Sequence, residues 1–272
     1  KTCPDTGMAG ASRSLYMDGN ATIIAANKLL AAMRKEDGTL RTYDEMKAEG
    51  IETKYLGRYE TNTTPGLCRL DPNTGIGDPT PAFTYCLNLA EVEVDTKTGK
   101  TTVLKFTCVD FVGRIGNIDA VNGQAYSGIM HGIGFALKED YADVKKHANM
   151  FGAGTSYIKD VPDDINLIHI DGAISDGPFG SSGASEAFQA SGHCAVLNGI
   201  YNACGVRIHE IPALPEKVKA GLDAIAKGEK PYEPKKYFLG SDMYEELENI
   251  KENPVQVGTQ SFYVSLDDPT AE

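Results

Sequence analysis

The sequence predicts an α+β fold in which helices pack on mixed sheets. Three observations lead there. Two runs rich in β-branched and aromatic residues, at 83–94 and 101–109, flank a polar turn and read as a hairpin. Apolar residues recur at helical spacing in segments before and after that hairpin. Hydrophobic residues make up 41% of the 272 positions against 24% charged, a balance that builds a packed core.

The small-residue stretch Gly7-Met8-Ala9-Gly10-Ala11-Ser12-Arg13-Ser14 leads into a helix over Asn20–Lys35. There Ile23, Ala26, Leu30 and Met33 form an apolar stripe, and Asp18 and Asn20 are the expected caps. Thr42-Tyr43-Asp44-Glu45 is a capping box opening a short helix that ends at Gly50. Residues 51–82 are rich in Gly, Pro and Thr and show no period. Irregular structure with at most one short strand is expected there.

Phe83–Val94 and Thr101–Val109 are the hairpin strands, joined by Asp95-Thr96-Lys97-Thr98-Gly99-Lys100. The loop Gly113-Arg114-Ile115-Gly116-Asn117 then enters a helix over Asp119–Lys138. Gly123, Gly128, Gly132 and Gly134 would each cost about 1 kcal/mol relative to Ala inside it. They imply close approach by another backbone or a ligand, or tight helix packing alone.

Ile165–Ile170 reads as a strand. Gly177-Pro178-Phe179-Gly180-Ser181-Ser182-Gly183-Ala184-Ser185 is a second small-residue loop, and Glu186–Cys204 follows as one helix closed by Gly205. Val206–Ile211 is expected to be a strand, and Pro215–Lys227 a helix with Pro in its first turn. Past Gly228 the texture changes. Pro231 and Pro234 punctuate a linker, Ser241–Glu245 opens a short helix, and Ser261–Leu266 is a strand. Residues 1–228 therefore read as one domain part and 229–272 as a C-terminal extension.

Lys and Arg number 26 against 38 Asp and Glu, a net charge of −12. That balance argues against a nucleic-acid or anionic-membrane partner. It is compatible with local binding of an anion by backbone N–H groups. No run approaches the roughly 18 apolar residues that a membrane span needs. The chain starts Lys1-Thr2-Cys3, with neither a signal-peptide pattern nor an initiator Met, and so reads as a fragment or processed piece. Six cysteines stand at 3, 68, 86, 108, 194 and 204. They form no C-x-x-C and no iron–sulfur cluster spacing, so they read as reduced, buried small hydrophobes of a cytoplasmic protein.

The chemistry gathers in three small-residue loops: Gly10–Ser12, Gly113–Asn117 and Gly180–Ser185, each shortly before a helix. Helix N-termini and glycine loops present N–H groups to anions, so the three suggest a cofactor clasped mostly by main chain. None is a Walker A or G-x-G-x-x-G fingerprint, and Gly180-Ser181-Ser182-Gly183 is not G-x-S-x-G. Glu186, at the junction of the last loop and its helix, reads either as a first-turn acid favoured by the helix dipole or as a general base in a partly desolvated pocket. His131 and His193 have no second His at ligand spacing and read as core or surface residues.

Taken in order, Pro4-Asp5-Thr6-Gly7, Gly10–Arg13, Gly123-Gln124-Ala125-Tyr126-Ser127-Gly128, His131–Gly134 and Gly180–Glu186 resemble the molybdenum hydroxylases, the xanthine dehydrogenase and aldehyde oxidoreductase family. Asn198–Gly205 and Pro215–Val218 resemble the bacterial aldehyde oxidoreductases in particular. The resemblance covers about residues 3–222 and implies part of a molybdopterin-binding catalytic domain, the C-terminal part of its subunit. It implies a pyranopterin carrying molybdenum, or tungsten, in the cytosine dinucleotide form, with the metal held by the pterin dithiolene and by no protein side chain. Gly10, Ala11, Ser12 and Arg13 would then form one cofactor segment. Gly116, Asn117 and Gln124 would form a second, and Ser182, Gly183, Ala184 and Ser185 the last.

Glu186 matches the catalytic glutamate, the base that deprotonates the attacking hydroxyl. The implied reaction is hydroxylation with water, aldehyde to carboxylic acid, with a purine or other N-heterocycle as the alternative substrate and a non-catalytic cofactor-binding chain as the alternative function. [2Fe–2S] modules, an FAD module where one exists, and the remaining molybdenum segments are implied on partner chains, with activity only in the complex. The sequence departs from the family at His131, where a Gln is frequent, and at Ala184-Ser185, where Val-Gly is commoner. The extension 229–272 is read as a docking arm.

Overall fold

In a computed structural model the described residues are 10–60, 71, 73, 77, 80, 82–143, 145–174 and 176–229. The chain divides into two units, Lys1–Pro231 and Tyr232–Glu272, and every described residue lies in the first. The expected helix at 241–245, the strand at 261–266 and the docking arm lie outside the described residues. So does most of 61–81, while 51–60 has no regular structure.

Helix α1 spans Ser14–Met33 and starts earlier than its apolar stripe suggests. Ala11 and Ser12 adopt left-handed backbone, φ 53° and 56°, and turn the chain straight into the helix. Asp18 and Asn20 therefore sit inside α1 and cap nothing at its start. Asn20 donates instead from its side chain to the Asp176 carbonyl, 3.0 Å away. Helix α2 spans Tyr43–Ala48 and carries the expected capping box: Glu45 N–H donates to Thr42 Oγ1, and Thr42 N–H to Glu45 Oε2.

Strands β1 (Tyr85–Val94) and β2 (Thr101–Phe111) form the expected antiparallel hairpin, with a register shift between Glu91 and Val92. β3 (Asp164–His169) joins β2 in parallel, Lys105 opposite Asp164 and Asp110 opposite His169. The expected mixed sheets are thus one three-stranded mixed sheet among the described residues, in the order β1-β2-β3. The long crossover from β2 to β3 carries helix α3, Ile118–Leu137.

The glycines of α3 separate into two kinds. A Cβ on Gly128 would lie 2.6 Å from Phe188 Cβ, and one on Gly132 would lie 2.9 Å from Gly192 Cα. These two are packing glycines that let helices touch. Gly123 has nothing within 4 Å of such a Cβ. Where one helix was expected over 186–204 there are two, α4 (Glu186–Ala190) and α5 (Gly192–Cys204). Ser191 leaves helical geometry (φ −124°, ψ 1°), its hydroxyl accepts from the Asn88 side-chain amide at 2.9 Å, and Gly192 then steps onto Gly132. The break is set by that close backbone crossing, which no local propensity announces.

Val206–Ile211 is not a strand. Val206 is buried against Gly221 of helix α6 (Pro215–Ala226), so it is held by side-chain packing and not by a ladder. The main core joins Phe106, Cys108 and Val112 of the β2 segment to Ala125, Ile129 and Ile133 of α3 and to Phe188 and Val196. Phe106 and Phe188 are fully buried, each worth roughly 1.5–3 kcal/mol of transfer free energy. Ile200, Val206, Ala213 and Val218 form a second cluster under α6. Among the described residues no helix is long and apolar enough to cross a membrane.

Candidate functional site

Three segments far apart in sequence meet where α1, α3 and α4 begin. Their contact is tight at one point: a Cβ on Gly183 would lie 1.7 Å from the Ser12 carbonyl oxygen. Glycine is required there because the two backbones touch. Two cavities open on either side of this contact, and Ser12, Ser182 and Gly183 line both.

The first cavity, about 430 Å³, is lined by Ala11, Arg13, Tyr16, Thr84 and Glu186 besides the shared residues. Tyr16 is buried, packs edge-on against Tyr59 with ring centroids 6.1 Å apart, and closes one wall. The second cavity, about 370 Å³, takes in Gly116, Asn117 and Gln124, together with Ala184 and Ser185. The structure thus brings together eleven of the twelve residues singled out in the sequence. Gly10 lines neither cavity; it is exposed and its carbonyl accepts from Arg13 N–H.

Ser12 organises the junction. Its Oγ accepts from the Glu186 backbone N–H at 2.8 Å and donates to Glu186 Oε2 at 3.1 Å. Its Oγ also lies 2.6 Å from Ser185 Oγ. Ser185 makes no cap of its own for α4, so Ser12 supplies the missing acceptor to the first turn. Ala11 and Ser12 hold left-handed backbone that costs a non-glycine residue energy, a feature that clusters at functional loops. Glu186 is exposed at the cavity wall, not desolvated by the described residues as a buried base would be.

These surfaces fit an anionic, polar group. The N–H groups of Gly183, Ala184, Ser185, Gly116 and Asn117 make no hydrogen bond among the described residues, and unpaired N–H groups in small-residue loops bind anions. Asn117 also caps α3 through its side chain, accepting from Ala120 N–H at 3.0 Å, which sets the helix to start at Ile118. Among the described residues, no group of three or more His, Cys, Asp or Glu is placed to hold a metal ion.

The sequence reading missed two features. Thr84 and Tyr16 line the first cavity although neither belongs to a motif. A part-buried array also reaches α3 at Asn122. His169 Nδ1 is 2.7 Å from Asp110 Oδ2, and its Nε2 is 2.8 Å from Asn122 Oδ1. Burial pushes the Asp110 carboxyl above its usual range, and the His169 contact pulls the other way. The only sequence signal was an Asp between Val109 and Phe111, at the end of an apolar run. His131, expected in core or on the surface, is half-buried with its ring 6.4 Å from that of Phe135.

Residues 1–162 match the family described as the Molybdopterin cofactor-binding domain. An aldehyde oxidoreductase of Megalodesulfovibrio gigas is 43% identical over 223 residues, 82% of this chain and 24% of that protein. A probable hypoxanthine oxidase of Escherichia coli is 30% identical over 151 residues, 54% of this chain and 16% of its own. In structure, the chain superposes on the aldehyde oxidoreductase of Desulfovibrio gigas with a TM-score of 0.78, covering 82% of this chain and 24% of that one at 43% identity. For the enzyme from Desulfovibrio desulfuricans the TM-score is 0.75, covering 79% and 23% at 46% identity. The chain therefore spans about a quarter of the length of these aldehyde oxidoreductases.

Proposed function

Because this chain belongs to the molybdopterin cofactor-binding domain family, we propose that its three loops hold a molybdopterin carrying molybdenum and that Glu186 is the general base of an oxidative hydroxylation with water. The observation that carries the reading is the Ser12–Glu186 junction, where two segments 174 residues apart meet on one cavity wall. When bound, the molybdenum group supplies the two-electron oxidation. The residues of this chain bind, orient and move the proton.

Ala11, Ser12 and Arg13 on one side and Ser182 and Gly183 on the other would clasp the pterin side of the cofactor. Gly116, Asn117, Gln124, Ala184 and Ser185 line the adjoining cavity and would hold the rest of it. Gly10 would act only through the turn it precedes. The Ser12 hydroxyl holds Glu186 Oε2 and leaves Oε1 to take the proton. We take the cofactor to be the cytosine dinucleotide form, with molybdenum in preference to tungsten.

The substrate we propose is an aldehyde, oxidised to the carboxylic acid; the more similar relatives support that class over a purine or other N-heterocycle. The rest of the molybdenum subunit, [2Fe–2S] modules and, where one exists, an FAD module would complete the enzyme in the cytoplasm. Glu186→Gln in the assembled enzyme tests the base. The amide keeps the side chain's size and an acceptor for Ser12. Turnover should fall by about 10²–10⁴-fold while molybdenum content, read by metal analysis, stays at the level of the unaltered protein. Surviving turnover would show that the base lies elsewhere. Loss of molybdenum in Glu186→Gln would make the residue structural.

A further inference from the structure

Cys86 and Cys108 stand on the inner face of the hairpin, on β1 and β2. The register sets Cys86 opposite Asp110 and Cys108 opposite Asn88, so the two are diagonal neighbours. Their sulfurs are 3.4 Å apart. A disulfide needs about 2.0 Å, so closure must bring the sulfurs roughly 1.4 Å nearer. Among the described residues the other two free cysteines differ: Cys194 is exposed, and Cys204 donates to the Ile200 carbonyl.

Thr84 lines the cavity that holds Glu186 and stands just before β1, two residues from Cys86. Cys86 is half-buried and Cys108 fully buried. Asp110, next after Cys108 on that face, keeps Oδ1 buried without a hydrogen-bond partner. A carboxylate oxygen left unpaired beside two thiols is a proton acceptor in waiting.

We propose that Cys86 and Cys108 are a redox-active dithiol, a modification site on the inner face of the hairpin that closes to an intramolecular disulfide when a small disulfide oxidant such as oxidised glutathione reaches it. The site stands independently of the molybdopterin reading. The Cys86 thiolate attacks one sulfur of the oxidant, forming a mixed disulfide and releasing one glutathione thiolate. Cys108 gives its proton to Asp110 and attacks Cys86 Sγ, releasing the second glutathione. In sum, two protein thiols and one oxidised glutathione become one protein disulfide and two reduced glutathiones. The hydrogen bond from Cys108 holds the Cys86 thiol below its usual range, while the same contact and burial push Cys108 up. That sets Cys86 as the attacking group and Cys108 as the resolving one.

The test is incubation of the full chain with oxidised glutathione, followed by peptide mapping under non-reducing conditions. A Cys86–Cys108 linked peptide pair, lost on reduction, is expected. Cys108→Ser should stop at a glutathione adduct on Cys86, and Cys86→Ser should leave Cys108 unmodified. Asp110→Asn should slow closure without slowing the first adduct. Far-UV circular dichroism checks that each variant folds, and mapping of the unaltered chain decides the matter even if none does. The proposal is overturned if Cys86 stays fully alkylatable while the exposed Cys194 takes up glutathione.

Discussion

Ser12 Oγ accepts the backbone N–H of Glu186 at 2.8 Å across 174 residues. A helix that begins without a side-chain cap of its own is capped by a distant loop. The same oxygen contacts the hydroxyl of Ser185 at 2.6 Å. Ser185 thus ties the last loop to the first.

Ser12→Ala removes that cap. The expected cost is about 1 kcal/mol, read as a lower denaturation midpoint. In the assembled enzyme turnover should fall more than substrate affinity, because the Glu186 carboxylate loses the donor that orients it. Ser12→Thr restores a hydroxyl but places a β-branched side chain at φ 56°, so it should be no more stable than Ser12→Ala. A stable, fully active threonine variant would contradict this account.

Gly183→Ala places a Cβ 1.7 Å from the Ser12 carbonyl. Relief requires the two loops to part, at about 1–3 kcal/mol for overpacking. Molybdenum content should drop while far-UV circular dichroism changes little. Gly123→Ala is the control, since nothing lies within 4 Å of that Cβ. It should stabilise α3 by up to about 1 kcal/mol, and loss of molybdenum from it would place the cofactor against Gly123.

Asp110 predicts a pH dependence of stability. Its folded pKa is raised, chiefly by burial, with His169 opposing. The native state therefore keeps a proton where the unfolded chain has released it. The contribution is present below the ordinary carboxylate range and is lost as pH rises through the raised folded value. Urea midpoints measured from pH 3 upward should show this decline, and Asp110→Asn should flatten it. An unchanged slope in the variant would assign the decline to other groups.

What was legible in the sequence was local. The Thr42 capping box, the hairpin turn 95–100, the Pro that opens α6 and the glycine-rich loops each depend on residues a few positions apart, where backbone geometry and hydrogen bonding are set by near neighbours. The ordered motifs around Ser12, Gln124 and Glu186 carried the family, because glycine and small polar residues are demanded wherever backbone must approach a ligand or another loop.

The tertiary structure decided what depends on contact between distant segments. Ser191 breaks a helix because Gly192 crosses Gly132. Val206–Ile211 is no strand because Val206 packs on α6. Asp110 meets His169, and Cys86 meets Cys108, because the sheet register puts them there. Periodicity tells which face of an element is apolar. It does not tell which partner covers that face, since that choice is made by the summed burial and close packing of the whole chain.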